Sequence, residues 1–407
     1  MADLSRRQLL FGGGAVGVLG ALTALVGPAG ATTWSPGGAG SMAPGDGADP
    51  NYVWDDEVDQ LIASVIDRGD TAAVNAALQN WTYNSQPLPD GLPADVAAFI
   101  ERARVLPPWA DSTKLANAVD FVQRRGTYLG VLYAMGSGMM STVIPHEARA
   151  VYWSKGGADI KDRIAKTATL GYDIGTPDAY QPTGHMIVTS VKTRMTHAAV
   201  RHLLPRSPSW TATADESKPI SQADILITWN SLATFTMHKL GDWGVPVNKT
   251  DSDAYLHLWQ LAAHMLGVRD EYIAADWDAA NSQFRQLLQP VLGPTPEGIE
   301  LAQDLYNLSA EVDPAHFSKP LFMAFTRYTC GDQIADWLTF PRDLYWDTFV
   351  RTGWPVFVAM KEGFQTLPLA PTVSWIFDEL LRRGTLFYLN DGQPIYITIP
   401  DTNRPGN

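Results

Sequence analysis

Two stretches of this sequence carry side chains whose spacing could support chemistry. In the first, Arg163, Lys166 and Thr167 fall within an arc of about 100° on a helix, so they share one face. That face could be catalytic, or it could be a solvated basic face beside Lys161 and Asp162. In the second, Arg194 and Arg201 flank His197 at i−3 and i+4, again on one face. Two cations beside an imidazole oppose its protonation, and a neutral imidazole is a metal ligand. The same arginines could pair with the carboxylates of a bound group. A helix that points a His and two Arg at water or at acidic partners has the same spacing.

Other chemistries are absent. His146-Glu147 continues as Ala148-Arg149-Ala150, which is not a zinc-protease helix. There is no nucleophile elbow, no S-x-x-K and no phosphate-binding loop. His257 and His264 lie seven apart on one helical face. No nearby carboxylate completes a metal set, so they read as polar core or rim residues. The single cysteine, Cys330, reads as a buried structural residue. One cysteine excludes an internal disulfide, a C-x-x-C metal site and the covalent haem attachment motif.

These residues must be positioned by helices. Of 407 residues, 45% are hydrophobic and 18% charged, against a norm of about 25% charged. That composition excludes a disordered chain. The net charge of −13 argues against a nucleic-acid groove. Ser5 to Leu10 hold a twin arginine, and an uncharged Gly- and Ala-rich run follows to Val26. Ala29-Gly30-Ala31 then reads as a cleavage site. Residues 1–31 are therefore expected to be a twin-arginine export signal rather than a membrane anchor. Their loss would take the charge to −14. That route exports folded proteins, often with a cofactor in place, so it tolerates the lack of disulfides. Residues 32–54, rich in Gly, Ser and Pro up to Pro50, read as a flexible leader. Residues 55–407 read as one large domain.

From Asp55 the apolar spacing of Val58, Leu61, Ile62, Val65 and Ile66 is helical. Further helices are expected over Thr71–Asn80, Ala94–Val105, Leu115–Arg125, Gly157–Tyr172, Ile187–Leu203, Ser221–Leu240, Ala254–Leu266, Trp277–Leu288, Pro296–Ser309, Ala335–Leu338 and Thr372–Arg383. Prolines and loops separate them. Leu386–Ile399, with Asn390-Asp391-Gly392 at its centre, reads as a terminal hairpin. The expectation is a mostly helical protein with one core.

On Pro145-His146-Glu147-Ala148-Arg149, Arg163-x-x-Lys166-Thr167 and Thr193-Arg194-Met195-Thr196-His197, the chain resembles the latex clearing proteins, the actinobacterial rubber oxygenases. The likeness runs over almost the whole chain. It implies an all-α fold with a globin-like core around one non-covalent haem b, and additional helices around that core. It implies His197 as the proximal iron ligand and Lys166 as the distal ligand of a closed form. Arg163 and Thr167 would line the distal side, and Glu147 would be a catalytic base. Arg194, Arg201 and Arg327 would be propionate or structural partners. The implied activity is dioxygen-dependent cleavage of the double bonds of cis-1,4-polyisoprene into oligomers with aldehyde and ketone ends. The protein would be secreted through the twin-arginine machinery and act as a monomer, with no nucleic-acid partner and no stable membrane anchor. The competing readings are a related haem oxygenase or peroxidase on another apolar substrate, and a secreted haem- or lipid-binding protein without turnover.

Overall fold

Ten helices carry the structure around the site: α1 (Asp56–Asp67), α2 (Ser112–Val131), α3 (Pro145–Trp153), α4 (Ile160–Asp173), α5 (Met186–Leu203), α6 (Gln222–Asp242), α7 (Lys249–Met265), α8 (Pro296–Glu311), α9 (Ser318–Cys330) and α10 (Leu344–Phe364). The computed structural model describes residues 32–311, 318–364, 378, 383, 385–386 and 388–405. Residues 1–31, read above as an export signal, and nearly all of the expected helix Thr372–Arg383 lie outside the described residues. Among the described residues there is no β-strand, only the isolated bridges Ser41–Ala274 and Ser154–Asn403. The all-α expectation is borne out. One buried apolar cluster runs from Trp34 to Ile399.

Local rules explain the helix starts. Asp56, Glu57 and Asp59 fill the first turn of α1, where the helix dipole favours negative charge. Asp111 caps α2 by accepting from the Thr113 and Lys114 amides at 2.8 and 3.1 Å. Ser221 and Asp224 form a reciprocal capping box on α6. The α2 helix passes into a π-helical turn over Leu132–Ser137. There Gly136 lies so close to Phe235 of α6 that a Cβ would clash. The α7 helix packs along α2, with Phe121 edge-on to Tyr255 at 5.4 Å.

Three helices depart from the sequence expectation. The α3 helix is only nine residues long and begins with Pro145 at its first position, where a preset φ suits a helix although proline reads as a breaker. The α10 helix holds Pro355 in its interior, which local propensity opposes. The α9 helix packs against α10, and tertiary burial decides both.

Two other expectations are corrected. The segment Thr32–Pro50 is not free. Trp34 is buried, and the amides of Gly37 and Met42 donate to the Glu271 and Ile273 carbonyls at 2.8 and 2.9 Å. A Cβ at Gly45 would overlap the Glu271 carboxylate, so its small residues permit close approach. The Leu386–Ile399 hairpin does not form. Leu386 and Leu389 are helical, and only the Asn390–Gly392 turn is as expected. The later residues form a strap whose backbone bonds go to side chains instead of a facing strand. Asn75 exchanges two hydrogen bonds with Ile399, both 2.9 Å. Thr196 of α5 donates to the Thr398 carbonyl at 3.3 Å.

The contact that positions the site is between α1 and α5. Val58, Ile62 and Val65 are fully buried on α1. Beside them, Arg201 Nε meets Asp59 at 2.7 Å, and Arg194 meets Asp55 at 2.5 Å and Glu57 at 3.1 Å. Lys218 also reaches Asp59, at 2.5 Å. Removing one partner of a buried pair leaves the other charge uncompensated. Asp59→Asn is therefore expected to cost about 3–5 kcal/mol of stability. Asp67→Asn, at the exposed end of the same helix pair, should change thermal unfolding far less. Melting curves followed by circular dichroism check both.

Candidate active site

Glu147 occupies the third position of α3, after Pro145 and His146. A helix N-terminus favours a carboxylate by about 0.3–1 kcal/mol, under one pKa unit. Burial outweighs this and pushes the Glu147 carboxyl up to about 8. The charge of Asp224 adds to the rise. A hydrogen bond donated by the Thr228 hydroxyl of α6 and the positive charge of Arg163 oppose it.

Arg163 comes from α4. Among the described residues it has no ion-pair partner, and burial lowers its proton affinity. His197 comes from α5. Its imidazole is pushed down to about 3, first by burial and then by the charges of Arg201 and Arg163. It is neutral at any physiological pH. Its buried Nδ1 has no hydrogen-bond partner. Glu147, Arg163 and His197 each keep part of their surface accessible, yet the surrounding protein strongly desolvates their charged forms. Arg163 is the shared neighbour, acting electrostatically on both Glu147 and His197.

The other sequence candidates are placed differently. Lys166 Nζ lies 2.7 Å from Asp162 one turn earlier, and 3.5 Å from the Thr398 hydroxyl. Thr167 is exposed, and its hydroxyl donates to the Arg163 carbonyl at 3.1 Å. Arg194 and Arg201 bond to α1. The expectation that both keep His197 neutral is met by Arg201 alone, with Arg163 in place of Arg194. The fork of Arg194 is turned to Asp55 and Glu57. Arg327, on α9, bonds to Asp336 at 2.7 Å, Asp332 at 3.2 Å and the Phe340 carbonyl at 2.8 Å, where it joins α9 to the segment that follows.

Thr228 and Asp224 were not singled out in the sequence. The Ser221-x-x-Asp224 capping box carried the signal, because Thr228 lies one turn after Asp224 on the same face. Asp224 also accepts from His146 Nδ1 at 3.0 Å. His146 Nε2 lies 3.5 Å from both Asp215 and Glu216. These acidic groups raise the His146 proton affinity, Asp224 foremost. Arg149 pairs with both Asp215 and Glu216, so this cluster already holds its counter-cation. His257 and His264 are polar core and rim residues, respectively, as expected and join no metal-ligand cluster among the described residues, although a carboxylate does stand beside His264. His257 accepts from the Asp111 amide at 2.9 Å, and His264 bonds to Asp270 at 2.7 Å. A cleft of about 400 Å³ lined by Asp55, Glu57, Arg102, Arg194, His264 and Arg269 contains none of Glu147, Arg163 and His197. Its charged walls do not suit an apolar ligand.

Glu147, Arg163 and His197 are thus a desolvated carboxyl that holds its proton, a guanidinium without an ion-pair partner among the described residues, and a neutral imidazole, coupled through the charge of Arg163. Residues 123–360 match the family model described as ER-bound oxygenase mpaB/B′/Rubber oxygenase, catalytic domain, and the chain belongs to that family. Over the full length of both chains it is 54% identical to the rubber oxygenase of Streptomyces sp. (strain K30). Its fold matches a solved structure of latex clearing protein LCP in the closed state, with a TM-score of 0.81 and 54% identity, covering 90% of this chain and 99% of that one.

The Glu147 shift has a consequence for stability. A carboxyl bound more tightly to its proton when folded stabilises the fold below the unfolded value near 4.5, and that contribution is lost as pH rises through about 8. Glu147→Gln removes the penalty of burying the anion. The variant is expected to melt at a higher temperature than the wild type at pH 9, with the gap closing at pH 5. Paired thermal scans at the two pH values check the sign.

Proposed function

We propose that this protein is a secreted haem b dioxygenase that cleaves the double bonds of cis-1,4-polyisoprene. The observation that carries the reading is the electrostatic grouping of Glu147, Arg163 and His197, all strongly desolvated, in a chain alike over its full length to a rubber oxygenase. A haem fits these residues on one observation. His197 is desolvated and neutral, keeps part of its surface accessible and has an imidazole nitrogen, Nδ1, with no partner; an iron ligand must be neutral and free to bind.

His197 would hold the haem iron from the proximal side, and bound haem b would supply the place where dioxygen is activated. Lys166 would be the second ligand of a closed form, and that role requires its pair with Asp162 to break. The forks of Arg194 and Arg327 are turned to protein groups, so we do not assign them to the propionates, whereas Arg201 bonds to Asp59 and the Ile220 carbonyl and keeps its buried Nη2 without a partner. Glu147, once ionised, would take an allylic proton from the polymer. Thr228 holds its carboxylate in place, and Arg163 favours the ionised form. Both atoms of dioxygen end in the products, as a carbonyl at each side of the broken double bond, one an aldehyde and one a ketone. The substrate has no charge and no hydrogen-bonding group, so apolar burial and shape must bind it. Residues 1–31 would direct the folded, haem-loaded chain out of the cell to a polymer too large to enter it, where the chain acts as a monomer.

The deciding experiment is oxygen uptake by the purified protein on polyisoprene latex without added peroxide, with analysis of the products for carbonyl ends. Uptake without such products, or turnover only with peroxide, overturns the reading. His197→Ala is expected to lose most of the haem Soret absorbance. Glu147→Ala is expected to keep haem and lose about 10²–10⁴-fold in turnover, the usual worth of a positioned base. If Glu147 is the base, the rate rises with pH through an apparent value near 8. Thr228→Val removes a bond that stabilises the anion, so it should move that midpoint upward and lower the rate at neutral pH. The initial-rate pH profile reads both effects.

A further inference from the structure

Twelve large apolar side chains are exposed among the described residues, and seven of them lie on α10. At about 100° per residue, Tyr345, Phe349, Val356, Met360 and Phe364 fall in an arc of roughly 100° along the helix. Val356 is 58% exposed and Met360 70%. The face runs about 30 Å, the length of a 21-residue helix. No ionised side chain lies in that arc. The charged residues of α10 point elsewhere and are paired: Glu362 with Arg125 at 2.7 Å, Lys361 with Asp378 at 3.5 Å, and Arg351 with Asp332 at 3.6 Å. The opposite face is firmly packed. Val350, Trp354 and Val358 are buried, and Trp354 lies edge-on to Trp243 and Phe325, each at 5.0 Å. The exposed stripe is therefore the outer side of a well-seated helix.

A contiguous apolar stripe of this kind marks an interaction surface. Its charge pattern selects the partner. An uncharged face on a chain of net charge −13 suits a ligand with no charge. It lacks the Lys and Arg rim that draws a helix onto anionic lipid headgroups. We propose that the outer face of α10 is the surface by which the enzyme adsorbs to a neutral hydrocarbon particle, bringing its catalytic residues to a polymer that cannot diffuse to them. This inference rests on the polyisoprene reading above and adds a surface that includes none of Glu147, Arg163 and His197.

The test uses the full-length holoenzyme. Wild type, Val356→Asp/Met360→Asp and the milder Val356→Thr/Met360→Gln are compared for adsorption to polyisoprene latex particles. They are also compared for turnover on latex and on a short, detergent-solubilised cis-oligoisoprene. Circular dichroism and the Soret band verify folding and haem loading. Burying an apolar side chain is worth about 1.5–3 kcal/mol, and each 1.4 kcal/mol is tenfold. The Asp pair should thus lower particle adsorption at least about tenfold, and latex turnover with it. Turnover on the oligoisoprene should stay within about twofold of wild type. The Thr/Gln pair should follow with a smaller loss, and it carries the test if the Asp pair does not fold. Val105→Asp changes an exposed apolar residue elsewhere and should leave adsorption unchanged.

Unchanged adsorption in the α10 variants overturns the proposal, as does an equal loss in Val105→Asp. A wild-type dimer that the Asp pair dissociates assigns the face to a second copy and overturns it. So does adsorption to phosphatidylcholine vesicles as strong as to latex. A wild type that adsorbs through α10 but cleaves neither substrate would sink the dioxygenase reading and leave the adsorption surface standing.

Discussion

The buried ion pairs between α1 and α5 fix the rotation of the helix that carries His197. Arg194 and Arg201 lie on the same arc of α5 as the imidazole. Their attachment to Asp55 and Asp59 leaves that arc little freedom to turn. A buried pair of this kind is weak as a source of net stability, because desolvation cancels much of the attraction. Its worth is geometric. Apolar contacts such as Val58 and Ile62 would tolerate a small slide or rotation of α5. A guanidinium held at 2.7 Å by a carboxylate does not. The same arginine serves the electrostatics of the site, since its charge helps to keep His197 neutral.

Glu147 and His197 show how one effect drives two groups in opposite directions. Desolvation disfavours charge of either sign, so it raises a carboxyl and lowers an imidazole. Glu147 moves up to about 8 and His197 down to about 3. Arg163 then acts with different sign on each, easing ionisation of Glu147 and opposing protonation of His197. Strongly perturbed groups of this kind gather where chemistry is done. Glu147 stands within reach of physiological pH with a hydroxyl already donating to it, whereas His197 is held neutral under all ordinary conditions.

What could be read from the sequence depended on whether a feature was local. The helix of His197 was legible because its apolar and basic periodicities agree over eighteen residues. The α3 helix, which carries Glu147, was not, because nine residues opening on proline give too short a pattern. Glu147 itself was reached only through the resemblance of its flanking residues to a known family. Thr228 was hidden for another reason. A threonine in the middle of a helix is unremarkable until the fold brings α6 against α3. The C-terminal hairpin failed because its alternation was real but its partner was not a strand. Asn75, more than 300 residues away in sequence, supplies the hydrogen bonds that a strand would have made.

The arginines show the same limit from the other side. Spacing identified Arg194 and Arg201 as neighbours of His197 and could not say what their forks would hold. In the fold they hold Asp55 and Asp59, and Arg327 and Arg125 likewise end on Asp336 and Glu362. Because these cations face inward, the outer surface is left acidic, and the outer face of α10 is left without charge. An anionic surface opposes self-association and keeps the chain soluble. An uncharged stripe on that surface is then a place where contact with another apolar phase meets little electrostatic cost. The ion pairs that orient the site and the exposed stripe on α10 are thus two results of one distribution of charge.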